Sequence, residues 1–288
     1  LSENLFKGLA PWMSRLPGGL IHVNVVGCAL FAAISGSSAA TVATVGKMSI
    51  PELRKRNYPE KLLLGSLAGS GTLGLLIPPS IILIIYGVTV QESIAKLFIA
   101  GIIPGIMLAI FFMFYVIGWS MLNKNIMPKM EETFSFSQKI KQSGQLIPVI
   151  VLIVAVIGSI YVGIATATEA ASLGVVGALI LSFFQKSLNK ETFKLSLLGA
   201  TKTSCMIAFI LAGSAFLSLA MGFTGLPRNL AIWINEMELS PYVLIMVLTI
   251  FYIILGMFLD GISAVVLTMA IIEPMIRQAG FDMIWFGV

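Results

Sequence analysis

Ser35-Gly36-Ser37-Ser38 interrupts an apolar run from Leu20 to Val45, and Leu73-Gly74-Leu75-Leu76-Ile77-Pro78-Pro79-Ser80 interrupts a second from Leu62 to Val88. The backbone is therefore expected to break inside hydrophobic segments. A broken helix at membrane depth leaves amides and carbonyls without intrahelical partners. Each costs several kcal/mol in hydrocarbon, so such a break persists only where protein, an ion or trapped water satisfies it. In membrane proteins, discontinuous helices of this kind mark midplane substrate and ion sites.

The rest of the chain agrees with a membrane setting. Of 288 residues, 58% are hydrophobic and 11% charged, and the mean hydropathy is +0.99. A soluble domain carries roughly 25% charged residues. A span takes about 20 apolar residues, so eight or nine crossings or half-crossings fit. The net charge of +5 is no nucleic-acid signal, because the basic residues, the third cluster at 186–202 included, sit in short loops between apolar runs. Cys28 and Cys205 lie in apolar stretches and read as small hydrophobes, with neither disulfide framework nor metal spacing. No signal peptide is visible. The chain starts at Leu1 and stops at Val288 within an apolar stretch, and a fragment with both ends missing is expected.

Basic clusters set the expected topology. Lys47, Arg54, Lys55, Arg56 and Lys61 form one, Lys124, Lys129, Lys139 and Lys141 a second, and Lys186, Lys190, Lys194 and Lys202 a third. The positive-inside rule puts all three in the cytoplasm. Leu62–Val88 and Leu97–Met121 join the first to the second, Leu146–Gly163 and Ala170–Phe184 the second to the third, and Thr203–Phe223 exits. The following loop, Thr224 to Ser240, holds Arg228 against Glu236 and Glu238, which suits the outside.

Two segments remain. Leu20–Val45 is flanked by Lys7 and Arg15 before it and Lys47 after it, so both ends read as cytoplasmic and the segment as a re-entrant hairpin. Tyr242–Ile276 starts outside and breaks at Leu259-Asp260-Gly261-Ile262-Ser263, which suggests a second hairpin entered from the other face. This arrangement leaves only Lys96, Arg228 and Arg277 of the 18 Lys and Arg outside. Two ordinary spans with polar middles are the alternative, and they expose more polar backbone for no gain. Ile34-Ser35-Gly36-Ser37-Ser38-Ala39 aligns with Leu259-Asp260-Gly261-Ile262-Ser263-Ala264. With opposite orientation, the match fits an inverted repeat. The expected fold is an all-α polytopic membrane protein with inverted repeats, two re-entrant hairpins and broken helices. The expected division is an amphipathic segment over 1–19, a first hairpin and broken helix over 20–90, scaffold helices and arms over 91–202, and an incomplete second repeat over 203–288.

The chemistry sits at the breaks. Ser35 and Ser37 can cap the returning half-helix, Gly36 permits the turn, and Ala39, Ala40 and Thr41 are small enough for close packing. Hydroxyls and tip carbonyls are hard donors that suit Na⁺, while half-helix N-termini suit a carboxylate. Pro78 and Pro79 lack amide donors, which frees the carbonyls of Gly74 through Ile77. Gly69, Gly71 and Gly74 leave room for a tip to press in. Ordinary small-residue packing and a simple proline kink are the bland readings of these two stretches. Asp260 and Glu169 are carboxylates in apolar surroundings and hence candidates for function. Asp260 could neutralise a cation, and Glu169 could cap a helix with Thr166 or Thr168.

Phe31-Ala32-Ala33-Ile34-Ser35-Gly36-Ser37-Ser38-Ala39-Ala40-Thr41 and Gly71-Thr72-Leu73-Gly74-Leu75-Leu76-Ile77-Pro78-Pro79-Ser80 resemble the large membrane (M) subunit of the TRAP, or tripartite ATP-independent periplasmic, transporters. Thr166-Ala167-Thr168-Glu169-Ala170-Ala171, Leu255-Gly256-Met257-Phe258-Leu259-Asp260, and Gly280-Phe281-Asp282 with Trp285-Phe286-Gly287 fit the same family, so the resemblance covers essentially the whole chain. It implies a bacterial inner-membrane, Na⁺-driven importer of organic acids, of the sialic acid or C4-dicarboxylate class, with an elevator mechanism and no cofactor beyond the coupling ion. It also implies two partners, a small membrane (Q) subunit and a periplasmic substrate-binding protein. Carried over by position, one sodium site falls on Ser35 and Ser37 with backbone at Gly74, Ile77 and Pro79. The second falls around Gly256, Asp260, Gly261 and Ser263, its partner helix being expected after Val288. Gly36, Ser38 and Ser263 fall to the substrate. Where this chain has Ala270-Ile271-Ile272-Glu273-Pro274, the family more often shows a further proline, so Glu273 is unusual.

Other classes fit less well. His22 is the sole histidine, which excludes an HExxH metalloenzyme, and it lies about four turns from the Ser35 tip. A channel does not need inverted hairpins, which suit alternating access. A dicarboxylate or citrate symporter of similar hairpin architecture differs in not needing a separate binding protein.

Overall fold

The computed structural model describes residues 2–128, 135–144, 146–225, 229, 232 and 240–288. Lys129, Arg228, Glu236 and Glu238, used above for topology, lie outside the described residues, as does the side chain of Lys7. Among the described residues every regular element is a helix. The residues cluster into two compact units, Leu1–Ile81 with Phe98–Ala178, and Ile82–Leu97 with Leu179–Val288.

In the first unit, α1 (Ser2–Met13) precedes α2 (Ile21–Ser35) and α3 (Ser38–Lys55). The 15 residues of α2 extend about 22 Å at 1.5 Å each, short of the ~30 Å hydrocarbon core. The helix stops where the sequence said it would, at Gly36, which is left-handed with φ 59° and donates its amide back to Ala32 O. An L side chain is strained at that φ, so glycine is the residue that ends this arm. Ser37 is extended and caps α3, its Oγ accepting from Ala40 N at 3.4 Å. The two arms then lie side by side. Cys28 of α2 and Val45 of α3 share a buried cluster with Leu67, with Phe31 and Val42 packed on it. The segment is a hairpin.

The next helices are α4 (Glu60–Gly71), α5 (Leu73–Leu76) and α6 (Ile81–Thr89), with the backbone irregular from Ile77 to Ser80 and the Pro78–Pro79 bond cis. Then follow α7 (Ile94–Leu122), α8 (Phe136–Ser143), α9 (Ile147–Tyr161) and α10 (Ala167–Phe184). Phe6 and Leu9 of α1 join Ile21, Leu53, Leu63 and Val116 in the main buried core, so the N-terminal amphipathic segment is packed into this unit.

The second unit contains most of α11 onward: α11 (Lys190–Thr224), α12 (Pro241–Gly256), α13 (Gly261–Gln278) and α14 (Met283–Gly287). Lys190, Lys194 and Lys202, read above as a loop, lie on one continuous helix of 35 residues. Its length is about 52 Å, so the span begins well after the helix does. The helix starts at Asn189, whose Oδ1 accepts from Thr192 N at 2.7 Å. α12 and α13 are joined by a 2.7 Å hydrogen bond between Tyr252 Oη and Thr268 Oγ1, eight residues before and after the Asp260 region, which makes Tyr242–Ile276 a second hairpin. Ser214 of α11 donates to Val266 O at 2.8 Å.

α7, α10, α11 and α13 are each long and apolar enough to cross a membrane. Phe209, Phe216 and Phe223 of α11 are 82%, 76% and 86% exposed. A water-soluble monomer does not present such a stripe, whereas hydrocarbon covers it without cost.

Candidate functional site

Two breaks of the first unit meet backbone to backbone. Ile81 N, at the start of α6, donates to Gly36 O at 3.1 Å. A methyl group built on Gly36 would lie 2.5 Å from Pro79 O, and one on Gly74 would lie 2.8 Å from both Ser37 C and Ser38 N. Neither position has room for any side chain. Gly71 is as crowded, with Val42 Cγ2 2.0 Å from where its Cβ would be. The tip of one hairpin is thus set into the break of the neighbouring helix. Gly69 does not take part, since it faces Phe112 of α7. Ala39 and Ala40, expected to aid packing, are exposed.

The proline pair explains which carbonyls are free. Helical acceptors at Gly74 and Leu75 would need the amides of residues 78 and 79, and proline has none. Leu75 O is nevertheless satisfied, because Ser80, fully buried, donates its hydroxyl to it. Ile77 N still donates to Leu73 O at 2.8 Å, and Ile77 itself is extended at φ −73°, ψ 122°. The expected run of free carbonyls from Gly74 to Ile77 is therefore interrupted at Leu75. Gly74 lies against the Ser37 carbonyl and Pro79 O against Gly36, with Ile77 between them in the chain, so neutral oxygens of both breaks gather in the first unit. That donor set fits a hard monovalent cation: oxygens only, with no imidazole or thiolate.

Ser35 ends α2 and does not cap α3. Its Oγ accepts from Ser37 N at 3.4 Å and lies 2.9 Å from Thr41 Oγ1 and 3.3 Å from Ser37 O. Thr41 Oγ1 in turn donates to Ser37 O at 2.7 Å and is fully buried. Thr41 and Ser80 were not recognised as site residues from sequence. The readable signal was a Thr four residues after the N-cap, in position to bond back to the i−4 carbonyl.

In the second unit Gly256, Asp260, Gly261 and Ser263 gather at the tip of the second hairpin. Asp260 is the N-cap of α13. Its Oδ2 accepts from Ile262 N at 3.1 Å and Ser263 N at 3.3 Å, and Ser263 Oγ donates to Oδ1 at 2.5 Å. Asp260 holds the N-cap position that Ser37 holds in the first hairpin, whereas the aligned sequences pair it with Ser35. The glycine match of the aligned sequences is not a structural one: Gly36 is left-handed before its cap, while Gly261 is the first helical residue after its own.

Glu169 caps a helix. Its Oε2 accepts from Thr166 N and Thr166 Oγ1, both at 2.8 Å, and Thr166 Oγ1 accepts from Glu169 N at 3.3 Å. This reciprocal pair is a capping box. His22 is buried at the start of α2, Nε2 lying 2.8 Å from Pro17 O. The unusual Glu273 accepts from Arg277 Nε at 2.9 Å, and Arg277 Nη2 also donates to Val90 O at 3.0 Å and lies 3.6 Å from Glu92.

Comparison with known proteins is in accord with this geometry. Residues 1–288 match the family model described as "Tripartite ATP-independent periplasmic transporter, DctM component". The chain is 34% identical over 286 residues to the "C4-dicarboxylate TRAP transporter large permease protein DctM" of Rhodobacter capsulatus, covering 94% of this chain and 64% of that protein. It is 32% identical over 277 residues to the protein of the same name from Pseudomonas aeruginosa, covering 96% and 64%. The "2,3-diketo-L-gulonate TRAP transporter large permease protein YiaN" of Escherichia coli is 32% identical over 279 residues, covering 94% and 64%. The "Isethionate TRAP transporter permease protein DctMQ" of Oleidesulfovibrio alaskensis is 30% identical over 297 residues, covering 100% of this chain and 45% of that protein. The chain thus spans about two thirds or less of the length of these relatives.

Proposed function

Because the chain belongs to the DctM component family of tripartite ATP-independent periplasmic transporters, we propose that it is the permease subunit of a Na⁺-coupled importer of small organic acids in a bacterial inner membrane. The observation that carries this reading is the meeting of the two breaks, with Ile81 N on Gly36 O and no room for a side chain at Gly36 or Gly74. A fold that merely packed helices would have no use for two interrupted backbones pressed together at membrane depth, since each interruption costs several kcal/mol.

In this reading Na⁺ is held by Ser35 and Ser37 with the Gly74, Ile77 and Pro79 backbone, and a second ion by Gly256, Asp260, Gly261 and Ser263. Candidate substrate contacts are Gly36 and Ser38 at the positive end of α3 in the first unit and Ser263 at that of α13 in the second. The residues over 20–90 and 203–288 carry these sites and move past the scaffold formed by 91–202 in an elevator cycle. A substrate-binding protein delivers the organic acid from the periplasm, and a small Q subunit supports the permease. The names of relatives favour C4-dicarboxylates or similar acids, with sialic acids the other class to test. The fused name DctMQ of one relative supports a Q partner.

The test is uptake by proteoliposomes holding the complete transporter and its binding protein. Radiolabelled C4-dicarboxylate or sialic acid should enter only with an inward Na⁺ gradient and only with the binding protein present. Uptake of equal rate in K⁺ medium would remove the sodium coupling. Uptake of equal rate without the binding protein would favour a self-sufficient symporter.

A further inference from the structure

A hydroxyl that binds a cation must present a lone pair, so its proton has to be directed elsewhere. At the first tip the distances select one hydrogen-bond order, the shortest bonds being taken first. Thr41 has one hydroxyl proton, and it goes to Ser37 O, which can only accept, at 2.7 Å. The 2.9 Å contact between Ser35 Oγ and Thr41 Oγ1 then has Ser35 as donor. The alternative acceptor for Ser35, Ser37 O at 3.3 Å, is longer and already occupied. Ser37 N approaches the same Ser35 oxygen at 3.4 Å as a donor. The remaining lone pair of Ser35 Oγ is left for a further partner. Thr41 is fully buried, so water does not compete for its oxygen, and it lies one turn into α3, whose axis holds it against Ser37.

We propose that Thr41 is a positioning residue for the first cation site, acting through Ser35: it accepts the Ser35 proton and thereby turns a Ser35 lone pair toward the ion. This rests on the sodium reading above. The Ser37 carbonyl keeps the 3.0 Å bond from Thr41 N whatever side chain stands at 41, so the effect of the Thr41 hydroxyl on the site runs through Ser35. Valine at this position keeps the shape and removes the acceptor for Ser35, whereas serine keeps the hydroxyl.

The experiment uses the full transporter complex, with Na⁺ as the probe, and reads both equilibrium binding of radioactive sodium in detergent and Na⁺ activation of uptake in proteoliposomes. Thr41→Val should weaken Na⁺ binding about tenfold, the worth of one hydrogen bond at a charged centre, and Thr41→Ser should restore it to within about twofold. In a Ser35→Ala background, Thr41→Val should add little, because the group it acts through is gone. Where Thr41→Val is not recovered folded, Thr41→Cys takes its place, since a thiol is a weak acceptor. Equal Na⁺ affinity in wild type and Thr41→Val overturns the inference, as does a full additive loss in the Ser35→Ala background. A wild-type complex that neither binds Na⁺ nor needs it overturns the sodium reading, and this inference with it.

Discussion

At the scale of single residues, the first tip depends on what is absent. Glycine at 74 leaves Ser37 and Ser38 in contact with bare backbone, and an added methyl would need to displace main-chain atoms that have no flexible end. Gly118 of α7 has nothing within 4 Å of the same added atom. Gly74→Ala should therefore lower Na⁺-driven uptake by about tenfold or more, and Gly118→Ala should leave it near wild type. Comparable uptake by the two variants, at equal amounts in the membrane, would show that the close approach has no bearing on transport. The two carboxylates separate in the same way. Asn still accepts at an N-cap, so Asp260→Asn keeps the hydrogen bonds of the tip and removes only its charge. Asp260→Asn is expected to impair uptake more than Glu169→Gln, whose position is a capping box at the start of α10. A larger loss for Glu169→Gln would reverse that ranking. Asp260→Ala loses the cap as well, about 1 kcal/mol of local stability, and should fall below Asp260→Asn in a thermal-shift measurement.

At the scale of elements, each hairpin makes a claim about sides. α2 and α3 pack along one another through Cys28 and Val45, so their far ends share a side. In a background with Cys28 and Cys205 replaced by Ala, single cysteines at Arg15 and Lys47, both exposed, should react with impermeant thiol reagent from the cytoplasmic side only. Cysteines at Ser240 and Gln278, at the outer ends of α12 and α13 and likewise exposed, should react from the periplasmic side only. Opposite-side labelling of Arg15 and Lys47 would make the first segment a span and remove the hairpin basis of the site.

At the scale of the whole molecule, the exposed apolar area assigns the environment. Ile103, Phe114 and Tyr115 of α7 are 77%, 63% and 65% exposed, alongside the phenylalanine stripe of α11. Their faces require lipid or another membrane subunit. The protein should fractionate with membranes and need detergent for extraction. Uptake should depend on a separate binding protein: omitting it should cut initial rates by about tenfold or more at substrate levels near saturation. Undiminished rates would point instead to a symporter that captures its own substrate.

The sequence by itself determined where the backbone breaks, because the breaks concentrate residues that weaken a helix. The Pro78–Pro79 pair removes two successive amide donors and Gly36 allows the left-handed turn between Ser35 and Ser37, whereas the single prolines Pro51, Pro104 and Pro274 stay inside their helices. It also determined the two hairpins, through charge at their flanks, and the membrane class, through composition. It misread 190–202 as a loop because lysines were taken as topology markers only. Lysine, glutamate and leucine are good helix formers, and Asn189 starts the helix. Only the tertiary structure decided which break meets which, that Gly69 faces Phe112, that Ser80 closes off Leu75 O, that Thr41 orders the tip, and that the two tip glycines are not equivalent. These are contacts between residues up to 45 apart in the chain, or hydrogen-bond directions within a turn. Local propensity does not encode them, since they arise only when packing fixes which oxygen lies beside which proton.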